Sequence, residues 1–107
     1  MQRMNLTAGY PDEPKNTMRN VLLPNLPGFM PRDDETLSIV YHGCLIEVQW
    51  EGYSRSVALT AAIPGDNGLL TKNVSYLSFP PDDVETITKV AGEMMEKART
   101  GYYMSKP

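Results

Sequence analysis

An α+β domain is the fold this sequence predicts: an antiparallel β-meander of three to four strands with one C-terminal helix packed on one face. Three observations predict it. Two Gly-containing turns bring alternating apolar residues into register between Thr36 and Ile63, an amphipathic stripe follows Asp82, and a cluster of prolines precedes both.

Residues 1–35 read as a Pro-rich extended N-terminal arm. Pro11, Pro14, Pro24, Pro27 and Pro31 are spaced closely enough to oppose a long helix and to push the preceding residues toward extended backbone. The arm is not a plain solvated tail, because Val21-Leu22-Leu23, Leu26, Phe29 and Met30 are too apolar to be left in water without cost. It is expected to cover either its own sheet or a partner's. The folded domain is expected over residues 36–107, with the chain forming a single domain overall.

The strands follow from turn chemistry. With His42-Gly43 as a two-residue hairpin loop, Tyr41 pairs with Cys44, Ile39 with Ile46 and Leu37 with Val48, all on one face. Gly at the second loop position suits a type I′ turn, which needs positive φ there, and a one-residue slip would turn every apolar side chain to water. With Glu51-Gly52 as a second such loop, Trp50 opposes Tyr53, Ile46 opposes Val57 and Cys44 opposes Leu59. Pro64-Gly65-Asp66-Asn67-Gly68 ends the third strand, and a fourth is expected from Asn73 to Phe79. Pro80-Pro81 stops that strand, Asp82 can cap a helix, and Glu85 completes a capping box. Val84, Ile87, Ala91, Met94, Met95 and Ala98 then form one apolar stripe, and Gly101 is placed to end the helix.

Composition narrows the function. A chain of 107 residues with a single cysteine makes neither an internal disulfide nor a multi-thiolate metal site, so a reducing, cytoplasmic setting is expected. A net charge of −3 with mixed signs lacks the clustered Lys and Arg that duplex nucleic acid requires. No apolar run approaches the ~20 residues that span a bilayer, and Met1 to Tyr10 lacks a signal-like apolar core, so neither membrane nor export is expected.

Catalytic constellations are equally sparse. His42 and Cys44 are two apart, but His42 sits in the turn and Cys44 points into the predicted core as a small apolar filler. Acids cluster in Asp33-Asp34-Glu35, read as a solvated loop, and in Asp82-Asp83-Glu85, where a helix N-terminus favours them. Asp66 and Asn67 lie among glycines without the spacing of a calcium or phosphate loop. No metal site and no cofactor are expected, and the chain reads as non-enzymatic.

The surface carries more. The face opposite the predicted core reads Ser38, Val40, Leu45, Glu47, Gln49, Ser56, Ala58, Thr60 and Ala62, with one charge where solvent-facing sheets normally carry several. Val40 and Leu45 are its largest apolar side chains. Trp50, Tyr53 and Arg55 flank the second turn and belong to the residue types enriched at binding hot spots. These five residues are the candidate binding site. They point to a small protein-interaction module, expected to be homo-oligomeric through exchanged arms and to bind another protein. Small acidic α+β chains with irregular arms are similar in general shape to phage-type accessory or inhibitor proteins, which implies occlusion of a partner surface. The alternative is a small-ligand binder, for example of a nucleotide, with a pocket at the sheet edge or a subunit interface lined by Trp50, Tyr53, Arg55 and the Gly65 to Gly68 loop.

Overall fold

The computed structural model describes residues 13–65 and 71–105. Five strands form one antiparallel sheet in sequence order: β1 (Met30–Asp33), β2 (Thr36–Tyr41), β3 (Cys44–Glu51), β4 (Ser56–Pro64) and β5 (Thr71–Phe79). One helix, α1 (Val84–Arg99), follows. The α+β meander with a C-terminal helix is therefore the fold, with one strand more than predicted, because the end of the proline-rich region pairs as β1.

The first hairpin is as the turn chemistry dictates. His42 (φ 50) and Gly43 (φ 79) both occupy the left-handed region, and Tyr41 pairs with Cys44, Ile39 with Ile46 and Leu37 with Val48. The second hairpin corrects the predicted register. Trp50 pairs with Val57 rather than Tyr53, Val48 with Leu59, and Ile46 with Ala61. Its loop is the four residues Gly52 to Arg55, closed by the Arg55 N–H donating to the Gly52 carbonyl at 3.3 Å, and Arg55 rather than Gly52 takes positive φ (47). Longer loops of this kind are the next choice after two-residue turns. The error displaces the pairing by four residues on β4, an even number, so each side chain keeps its predicted face.

The inner face carries the core. Leu37, Cys44, Ile46, Val48, Trp50, Val57, Leu59 and Ala61 are buried there, and α1 lies across β2, β3 and β4 through Ile87, Ala91, Met94 and Ala98. The helix is capped one residue later than predicted: the Asp83 carboxylate, not that of Asp82, accepts from the Thr86 N–H at 3.4 Å. At the other end Gly101 (φ 81) closes a Schellman motif, its N–H donating to Ala98 and that of Tyr102 to Lys97. The turn that follows buries Tyr103 in the same core.

The N-terminal region departs most from expectation. Asn16–Leu22 winds as a π-helical segment and Leu23–Asn25 as a 3₁₀ turn, instead of an extended arm. Met18, Leu22, Leu26 and Phe29 are buried in the core beside α1, on the inner face and not on the outer one. The prolines permit this because Pro24 stands in the first turn of the 3₁₀ segment, where its missing N–H has no partner to lose, and Pro27 follows its end. Residues 13–33 therefore belong to the same packed unit as residues 36–65 and 71–105. The acidic run between β1 and β2 is a turn, with Asp33 accepting from the Glu35 N–H at 2.8 Å; that bond holds its carboxyl below the usual range.

Candidate functional site

Antiparallel register places rows of side chains across the outer face. Met30, Ser38, Glu47, Thr60 and Tyr76 form one row, and Val40, Leu45 and Ala62 the next. Thr36, Gln49, Ala58 and Ser78 form a third. Every residue assigned to this face from sequence lies on it. Val40 is 74% exposed, Met30 66% and Tyr76 55%, while Ala58 and Ala62 are small enough to be closed over by their neighbours. The result is a face that mixes exposed apolar side chains with small, buried ones.

Its charges are satisfied internally. Arg32, on the bulged end of β1, donates to Glu47 Oε2 at 2.6 Å, and the Tyr76 hydroxyl donates to Glu51 Oε1 at 2.7 Å. Since both polar groups are occupied by each other, this part of the face presents little unanswered charge to a partner.

The Glu51 hydrogen bond, then desolvation and the carboxylate charge, push the Tyr76 phenol up from 10.0 to about 12. A folded-state pKa above the unfolded one means that the contribution of this bond is complete below pH 10 and is lost as pH rises toward 12. In a tyrosinate absorbance titration Tyr76 is expected to ionise late among the six tyrosines, and Glu51→Gln to bring it back toward the ordinary range. A titration unchanged by Glu51→Gln would show that the bond does not control the phenol.

The five candidate residues do not form one cluster. Val40 and Leu45 sit together on the outer face, one exposed and one half-buried, next to the β2–β3 turn. Trp50 is 7% exposed on the inner face and belongs to the core. Tyr53, 88% exposed, stands at the tip of the β3–β4 loop, so the expected Trp50–Tyr53 cross-strand pair is not made. Met30 and Tyr76 escape the sequence reading because β1 falls within the expected arm and the adjacent Tyr76 and Leu77 break a clean apolar–polar alternation in β5.

Arg55 lies in a groove of about 230 Å³ with Glu13, Thr17, Val21, Pro81, Asp82 and Val84. It forms an ion pair with Glu13, and Asp82 adds to the negative potential, so its guanidinium stays charged more firmly than usual. Two carboxylates around one guanidinium weigh against a phosphate ligand here. Asp66, Asn67 and Gly68, considered for the same pocket, lie outside the described residues. Cys44 is fully buried, and desolvation pushes its thiol up, away from the reactive thiolate. Among the described residues no three His, Cys, Asp or Glu side chains gather as a metal-binding group, and no helix is long and apolar enough to cross a membrane. Comparison with protein-family models, with curated proteins and with solved structures finds no match to this chain.

Proposed function

We propose that this chain is a small non-enzymatic protein-interaction module that docks a partner protein against the outer face of its sheet. The observation that carries the reading is the exposure of Val40 and Met30 on a face whose Arg32 and Glu47 neutralise each other, while both helical segments pack on the opposite side. Burying apolar side chains of this size contributes about 1.5–3 kcal/mol each. Exposed apolar side chains spread over a sheet face favour a protein surface over a small molecule, which binds best in concave sites. Occlusion of a partner surface, the accessory or inhibitor mode, needs no more than this.

Affinity capture from the native host tests the proposal, with wild type compared against Val40→Glu. Val40 is surface-exposed, so the variant should melt within about 0.5 kcal/mol of wild type. A captured partner is expected to bind the variant at least about tenfold more weakly, equivalent to about 1.4 kcal/mol. Undiminished capture by a folded Val40→Glu protein would remove the outer face from consideration. A nucleotide that raises the melting temperature would favour the ligand-binding alternative instead, since a hundredfold excess over Kd adds about 2.7 kcal/mol.

A further inference from the structure

The two edges of the sheet are built differently. β1 is a four-residue edge with Pro31, which has no N–H to offer, the charges of Arg32 and Asp33, and an irregular register between Pro31 and Asp33. Those are the devices by which sheets discourage further pairing. β5 is nine residues long and pairs with β4 on one side only; its other edge meets no strand among the described residues.

Two features divide β5. The register slips between Ala61 and Ala62, where Ser75 and Asn73 are their partners, so Val74 is an extra residue. Beyond Phe79, Pro80-Pro81 ends the strand. What remains between bulge and prolines is Ser75–Phe79, five residues without charge or proline, about 17 Å long at the rise of an antiparallel strand. Its midpoint is Leu77, which faces the helix side of the sheet yet is 44% exposed because α1 lies over β2, β3 and β4.

We propose that β5 pairs antiparallel with β5 of a second copy about a two-fold axis through Leu77, joining two five-stranded sheets into one. This register is self-complementary in size as well as in symmetry. Leu77 meets Leu77 of the other copy, Tyr76 meets Ser78, and Phe79 meets Ser75, so each aromatic ring lies over a serine. Charge does not oppose a second copy on this segment. Two chains of net charge −3 repel, and Ser75–Phe79 brings no like charges together where they touch. The pairing is an isologous interface of the kind that closes after two subunits, and it leaves both outer faces on the same side of the joined sheet. It is independent of the outer-face docking proposed above.

Sedimentation velocity of the full chain tests the pairing, together with Leu77→Lys and with oxidative cross-linking of Leu77→Cys and Ser78→Cys. A concentration-dependent rise toward twice the 12.0 kDa chain mass is expected, with at least tenfold weaker association for Leu77→Lys, where like charges would meet across the axis. Directly opposed residues have Cβ atoms about 4.5–5.5 Å apart and diagonal ones about 7–8 Å, so Leu77→Cys should yield a covalent dimer and Ser78→Cys should not. A monomer at every concentration, a dimer that Leu77→Lys leaves intact, or equal cross-linking at both positions would overturn the proposal. Should Leu77→Lys fail to fold by circular dichroism, the comparison of the two cysteine variants decides alone.

Discussion

Removal of residues 1–29 is expected to abolish cooperative folding. The deletion takes Met18, Leu22, Leu26 and Phe29 out of the core, all of them 5% exposed or less. Side chains of this kind contribute about 1.5–3 kcal/mol each on burial. Four of them together approach the entire stability of a small domain, about 5–15 kcal/mol. The inner-face residues beside α1 would also lose their cover. Near-ultraviolet circular dichroism and thermal unfolding of the truncated chain check this. A sharp transition near that of the full chain would mean that the N-terminal segment is an accessory arm after all.

Trp50→Ala is expected to destabilise the domain by about 3–5 kcal/mol, the range for truncating a buried large aromatic. Trp50 lies near the end of the inner face of β3, paired with Val57 and packed in the same cluster as the helices. Its backbone N–H also donates to the Glu35 carbonyl at 2.8 Å, a bond the substitution keeps. The loss is thus one of packing. Denaturant unfolding measures it, and Tyr53→Ala in the neighbouring loop should change stability by no more than about 0.5 kcal/mol. Equal effects of the two substitutions would contradict the placement of Trp50 inside and Tyr53 outside.

How much of this was legible in the sequence depended on whether the deciding interaction was local. The His42-Gly43 turn was legible because a two-residue loop restricts its own φ angles, and those restrictions select the residues. The β3–β4 loop was not, since Gly52 satisfies a two-residue turn on paper while the chain places its positive φ at Arg55, a choice made by the pairing of whole strands. The assignment of side chains to faces survived because period-two alternation is insensitive to an even slip. In the N-terminal region the prolines outweighed a competing signal. Met18, Leu22 and Leu26 recur every four residues, a helical spacing that marks the buried stripe.

The candidate site divides along the same line. Val40 and Leu45 could be placed from alternation alone, and both lie where it put them. Trp50, Tyr53 and Arg55 were grouped by nearness in sequence, but a strand end and a loop separate them, and the partner that occupies Arg55 is Glu13, 42 residues away. Such a pairing exists only once the N-terminal segment has packed beside α1. No local pattern reports it.

Site-specific photocross-linking tests the outer-face assignment most directly. Benzoylphenylalanine placed at Val40 reports on the outer face, and the same group at Glu93, on the exposed side of α1, reports on the opposite surface. With the chain expressed in its native host, a covalent adduct with a partner protein is expected through position 40 and not through position 93. Adducts through position 93 alone, or equally through both, would contradict the claim that the outer face of the sheet is the docking surface.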